Sequence, residues 1–456
     1  MRVAANAPLL LAGAALAALT LVGLHLPHPV PGAFGIGYGA ALQHFVALTM
    51  VQGLIYGGAV ALLLRCRTPP PLALVLGVAL ILRLMVVAAP PFLSNDMYRY
   101  IWDGWVQAAG INPYRYIPDD PHLAFLRDAA VFPNINRASY APTIYPPAAQ
   151  IAFLVSTSVA RLLAIPPVLG MKLAMLGFEA VAAVAILGVL DTAGLPRARI
   201  LIYAWNPLPL WEFAGSGHVD AITVAAIALA LLAAARARTG LAGAALGFAV
   251  LTKFLPLVLA PALWRRWDAK FLGAMFGIIL LLYVPYLGAG RHVFGFLGGY
   301  AAQEGIDSGH GILALDLLAA VTPVTPLLAK LYLLALGASL AGLALLMVWR
   351  PRPALPGPAL TKLLATRALL FGGLLMAGLS PHYPWYYAFL LLPACVVPAP
   401  AVLYLVTAST LLYLNPSHTQ WLWPALVFAP FILLAGCQKL QFLRPVISPP
   451  PAGASR

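Results

Sequence analysis

The feature that most constrains this chain is a succession of apolar runs, each near the roughly 20 residues needed to cross a hydrocarbon core. They lie at about 9–25, 40–64, 71–89, 168–190, 200–214, 220–235, 271–289, 328–349, 366–380 and 400–436, the last long enough for two crossings. A further run over 239–264 is interrupted at Thr252-Lys253-Phe254-Leu255-Pro256, which reads as two short helices meeting at a break. The pattern predicts an all-α, polytopic transmembrane helical bundle with 13 or 14 crossings, give or take two. Only 9% of the 456 residues are charged, against about a quarter in a soluble domain, so an ordinary soluble fold is excluded.

The 27 Lys and Arg against 13 Asp and Glu give a net charge of +14, which in a soluble protein would suggest nucleic acid. In a membrane chain it is topology, because basic residues stay on the inner side. With Arg2 inside, the clusters Arg65/Arg67, Arg197/Arg199, Arg236/Arg238, Arg265/Arg266/Lys270 and Arg350/Arg352 fall on that side, as do Lys439 and Arg444. This map requires 148–164 to be a surface or half-inserted helix; a full crossing there would flip the next two segments. It reads as one integral-membrane domain over 1–440 with a short cytoplasmic tail over 441–456. The first apolar run has no small-residue cleavage site after it and reads as a retained helix. Cys66, Cys395 and Cys437 have no second Cys or His at metal-ligand spacing and read as packing residues.

The outer face then collects the unusual residues: the long loop 90–147, the Gly217-His218-Val219-Asp220 turn, the 290–327 connection, 381–387 and Asn415–Trp421. Loop 90–147 holds five of the 13 acidic residues, Asp96, Asp103, Asp119, Asp120 and Asp128. Ser94 or Asn95 is placed to cap a helix from Asp96 to Ala109 with an aromatic face for the headgroup boundary. A carboxylate at the start of that helix suits deprotonation of an attacking alcohol. It is equally a common helix-start residue, and Asp103 one turn on is equally a partner for Arg99.

The strings SNDMYRYIWDGWVQAAGINPYRY, IYPPAAQ, NPLPLWEFAGSGHVDA, LTKFLP and SPHYPWYY, taken in order, resemble the polytopic glycosyltransferases of the GT-C fold. The nearest resemblance is to bacterial polyprenol-phosphate-dependent mannosyltransferases and the related glycosyltransferase family 87. The resemblance implies a sugar donor carried on a polyprenyl phosphate, a glycan or glycolipid acceptor, and a site on the periplasmic side of the bacterial inner membrane. It also implies an acidic catalytic base in the first outer loop, which falls on Asp96. Many such enzymes carry paired acids there, whereas Asn95-Asp96-Met97 leaves one carboxylate. Asp220, in the second acidic motif, is then expected to bind the acceptor or, with His218, a metal ion; it also fits a helix cap.

Breaking an anomeric C–O bond develops charge on the departing phosphate, which a cation or metal should meet. Lys253, Arg291 and His382 are the outer-side candidates, while Lys253 also fits snorkelling and Arg291 a helix anchor. Arg99, Asp103 and Tyr383 complete the expected substrate-binding set, and Tyr383 belongs to an aromatic string suited to stacking on a sugar. Glu304, Asp307 and His310 either border the acceptor or form a solvated loop face. No cofactor is specified by the pattern, and a divalent cation, Mg or Mn, stays open. No phosphate-cradling Gly-x-x-x-x-Gly-Lys-Ser/Thr loop is present, so a lipid-carried donor fits better than a nucleotide-sugar. The competing reading is a secondary transporter or flippase-type protein, since intramembrane Arg83 and Glu179 and many broken helices also suit that class.

Overall fold

A computed structural model describes residues 2–26, 36–349, 355–416 and 420–437. The expected tail 441–456, the basic residues Arg350, Arg352, Lys439 and Arg444, and part of Asn415–Trp421 lie outside the described residues. Every regular element among the described residues is helical. Six helices are long and apolar enough to cross a membrane: Asn6–His25, Gly39–Arg65, Pro167–Thr192, Ala269–Phe294, Pro326–Trp349 and Gly357–Leu379. Six shorter apolar helices accompany them: Leu72–Val87, Asp220–Ala235, Thr239–Val250, Pro384–Val396, Pro400–Leu414 and Leu422–Cys437. The chain is an all-α, multi-pass membrane protein.

The crossing expected over 200–214 is instead a broken path. Leu201–Ala204 is a single turn, Asn206 caps a second turn at Pro207–Pro209 by accepting from the Leu208 N–H, and a π-helix follows at Leu210–Gly215. The two prolines remove backbone donors and forbid one continuous helix. The interruption at Thr252–Pro256 is present: the Thr239–Val250 helix ends there and the chain turns back through a 3₁₀ stretch, Leu255–Leu259.

Small residues set the helix spacing. Gly243 and Gly247, four apart on Thr239–Val250, face the backbone oxygens of Phe271 and Met275, where a Cβ would collide. This is the close approach that a Gly-xxx-Gly face permits where apolar burial alone offers no drive. The Asp220–Ala235 helix, apolar on nearly every face, runs through the middle of the bundle with only Leu229 exposed. Pro326–Trp349 lies at the periphery and turns Leu327, Leu331, Leu334, Leu345 and Leu346 outward.

Two buried cations tie the bundle together. Arg83 Nη2 lies 2.8 Å from Glu179 Oε1, and its Nη1 donates to the Ala204 carbonyl at 2.7 Å. One ion pair thus joins Leu72–Val87, Pro167–Thr192 and the broken segment. Lys172, fully buried, donates from Nζ to the carbonyls of Val86 at 3.0 Å and Ala89 at 2.6 Å. It satisfies carbonyls that the end of the Leu72–Val87 helix leaves open, and so fixes where the next loop begins.

That loop leads into the Asp96–Ala108 helix, which packs on the 16-residue Pro147–Leu162 helix. Tyr100 stacks on Phe153 with ring centroids 4.6 Å apart. At about 1.5 Å per residue the second helix reaches roughly 24 Å, short of a hydrocarbon core of about 30 Å.

Candidate active site

Loops at one end of the bundle enclose a cavity of about 780 Å³. Its wall is drawn from 92–96, 136–146, 252–255, 297–312, 379–386 and 412–416. Asp96, Lys253, His382 and Tyr383 line it, as do Asn136, Arg137, Tyr300 and Glu304.

Asp96 opens its helix with its backbone N–H donated to Ser94 Oγ at 3.1 Å, and Asn95 makes no side-chain cap. The Asp96 carboxylate, half-buried, accepts from Asn136 Nδ2 at 2.5 Å, and the same amide reaches Asn95 Oδ1 at 3.1 Å. One oxygen is thereby oriented by a neutral donor that takes no proton, which suits a base. Arg137, in the left-handed region at φ 57°, donates from Nε to Gln303 Oε1 at 2.8 Å and stands over the Tyr300 ring. Burial pulls the Arg137 guanidinium down, but Asp96 and the phenols of Tyr145, Tyr300 and Tyr383 outweigh it and hold it above the ordinary arginine value.

Lys253 reaches the cavity because the chain breaks there. Its Nζ lies 2.6 Å from Asp220 Oδ2 and 4.2 Å from the centroid of Tyr386. Asp220 is therefore a buried ion-pair partner behind the cavity wall. His218 goes elsewhere: it stacks on Trp385 at 4.0 Å between centroids, with Nε2 3.5 Å from Glu212 Oε2. Asp220 and His218 thus serve different partners and do not converge as a pair of metal ligands, and among the described residues no three His, Cys, Asp or Glu side chains gather as a metal-holding group.

Tyr383 stacks on Trp385 at 4.6 Å and 7°, so His218, Trp385 and Tyr383 form a three-ring stack that runs from the core to the cavity. Burial first, then the carboxylates of Glu304 and Asp96, push the Tyr383 phenol above its ordinary value against the pull of Arg137. His382 lies with Nδ1 3.5 Å from Glu304 Oε2. It packs over Gly311 (φ 77°), where any Cβ would overlap the imidazole.

Besides His218 and Asp220, three further expected residues stand away from the cavity. Arg99 and Asp103 form a buried pair at 2.8 Å; Arg99 also donates to the Ala141 carbonyl at 3.1 Å, and Asp103 Oδ2 accepts from Gln150 Nε2 at 2.9 Å. They fasten the 141–150 strip to the Asp96 helix. Arg291 is exposed in a 3₁₀ stretch and does not line the cavity. Asn136 and Arg137 were not singled out from the sequence. Their one signal is the polar string Asn134-Ile135-Asn136-Arg137 inside a loop already rich in acids.

Residues 5–268, more than half of the chain, match the family model described as alpha-(1->6)-mannopyranosyltransferase, N-terminal domain. The chain belongs to this mannosyltransferase family. It is a membrane glycosyltransferase, and the enzyme reading replaces the transporter one. Neither a curated protein nor a solved structure matches it. The matched region of the mannosyltransferase carries Asp96, Asn136, Arg137, Asp220 and Lys253, while Glu304, His382 and Tyr383 enter the cavity from beyond it.

Proposed function

We propose that this mannosyltransferase moves mannose from a polyprenyl-phosphate donor to a glycan or glycolipid acceptor on the outer face of the membrane, in a single inverting displacement. The carrying observation is a carboxylate and a Lys ammonium lining one cavity, Asp96 at the start of its helix and Lys253 just past the end of Thr239–Val250. Asp96 takes the acceptor hydroxyl proton as that oxygen bonds to the anomeric carbon. The C–O bond to phosphate breaks and its electron pair stays on the phosphate oxygen. Lys253 spends one donor on Asp220 and keeps two for the leaving group, and Arg137 adds charge on the Asp96 side. An inverting step that yields the α-linked product of the family requires a β-linked donor.

The orientation rests on helix direction. Ile36–Arg65 carries Leu42 at the cavity and Arg65 at its far end; Asp220–Ala235 begins at Lys253's partner and is followed by Arg236. Basic clusters at the far end support an inner face there and an outer cavity, in the bacterial case a periplasmic one.

The test is transfer of radiolabelled mannose from synthetic β-linked polyprenyl phosphate mannose to membrane glycolipid or glycan acceptors. Asp96→Asn should lower kcat by about 10²–10⁴. Near-normal transfer by that variant at equal protein level removes Asp96 as the base, and no transfer by wild type with any lipid-linked mannose removes the donor class.

A further inference from the structure

Two carboxylates line the cavity, Asp96 and Glu304, and the transfer step uses only the first. Glu304 stands just past the Leu297–Gln303 helix, in a part of the chain outside the family match. Its Oε1 is 3.6 Å from Arg137 Nη2 and its Oε2 3.5 Å from His382 Nδ1. These separations hold the charge in place but are too long for direct hydrogen bonds. An ionised carboxylate in that position offers both oxygens as acceptors, and hydroxyl groups are the donors that give it short, charge-assisted bonds. Phosphate is the ligand it repels.

Lys253 suits an anion, and Glu304 suits hydroxyl donors. Tyr383 lines the same cavity as both, stacked on Trp385.

We propose that Glu304 selects the acceptor: it accepts hydrogen bonds from hydroxyls of a saccharide held against the Arg137–His382 wall, and so makes the enzyme prefer a sugar over a non-polyol acceptor. The proposal deepens the transferase reading and rests on it for the acceptor's role, while saccharide binding is measured without any donor.

The probe is α-(1→6)-mannobiose, titrated into detergent-purified wild type, Glu304→Gln, Glu304→Asp and Asp96→Asn, alongside acceptor and donor KM in the transfer assay. Glu304→Gln is expected to weaken mannobiose binding and raise acceptor KM by about 10- to 100-fold, the range for a lost hydrogen bond to a charged group, with donor KM unchanged. Glu304→Asp should recover part of the loss. Monodeoxy mannobiosides should bind wild type more weakly at one or two positions and bind Glu304→Gln no worse than mannobiose itself.

A merely structural Glu304 would raise donor and acceptor KM together and lower thermal stability, and that result overturns the proposal. So does unchanged mannobiose binding in Glu304→Gln, or no saturable binding to wild type. Loss of binding in Glu304→Gln with no transfer from any donor would keep the proposal and sink the donor assignment. Loss of transfer in Asp96→Asn with Glu304→Gln unaffected would do the reverse.

Discussion

Lys253 Nζ and Asp220 Oδ2 sit 2.6 Å apart, so the ammonium that faces the cavity arrives already paired from behind. The pair spans two interruptions in the bundle, the helix break at Lys253 and the turn that starts the central helix at Asp220. If Lys253 meets the leaving group as proposed, Lys253→Ala should lower kcat about 10²–10³-fold. Asp220→Asn leaves a nearly buried ammonium without its counter-charge, at a cost of about 3–5 kcal/mol. Thermal unfolding should show the double variant Asp220→Asn/Lys253→Met as more stable than Asp220→Asn alone, while transfer stays lost. Additive destabilisation would mean that the pair is not coupled.

Arg83 and Glu179 form the contrasting pair, buried at 2.8 Å and away from the cavity lining. Glu179→Ala should cost about 3–5 kcal/mol and reduce the yield of folded protein. Arg83→Met/Glu179→Leu replaces both charges by apolar bulk and should recover most of the stability with transfer intact. Transfer lost in a well-folded double variant would place this pair in the reaction.

Gly311 carries no side chain because the His382 imidazole occupies that space, and its φ of 77° is strained for any other residue. Gly311→Ala should push His382 off Glu304 and reproduce the acceptor-side KM increase without touching Glu304 itself. A normal acceptor KM in this variant would show that His382 does not position Glu304.

Alkaline pH probes the cavity roof. The Tyr300 phenol is raised well above 10.0, by burial and then by Tyr386 and Glu304, and Tyr383 is raised as well. Folded values above the unfolded one mean that their stabilising contribution is complete below the unfolded value near pH 10 and drains away as pH climbs from there toward the folded values. Thermal midpoints should fall as pH rises above about 10, and fall less steeply in Tyr300→Phe or Tyr383→Phe. Equal slopes in all three proteins would show that these phenols ionise as freely in the fold as in the unfolded chain.

Local signals were readable in the sequence. The break at Thr252–Pro256 announces itself as a Lys and a Pro inside an apolar run, and Asp96 as an acid at a helix start. Pairings across the fold were not. Asp220 and Lys253 were each recognisable as unusual, but 33 residues separate them and nothing in either segment names the other. Asn136 reaches Asp96 over 40 residues, and Glu304 reaches His382 only after two further apolar helices, Pro326–Trp349 and Gly357–Leu379, carry the chain away and back. Arg291, a lone cation at the end of an apolar run, had the right charge and the wrong exposure. Proline in 200–214 was visible, yet its consequence, a chain folded into turns in place of a spanning rod, depends on the Arg83 contact to Ala204 that holds it there.

The helix that ends just before Lys253 has only 12 residues. It rises about 18 Å, whereas the hydrocarbon core is about 30 Å thick, so in the proposed orientation, with Arg236 and Arg238 at the inner boundary, the Lys253 wall of the cavity opens below the outer headgroups. For the lipid-tethered donor proposed above, supply becomes a two-dimensional problem, and turnover should follow the mole fraction of donor in the bilayer rather than its concentration in the tube; a dependence on bulk concentration alone would point to a water-borne carrier.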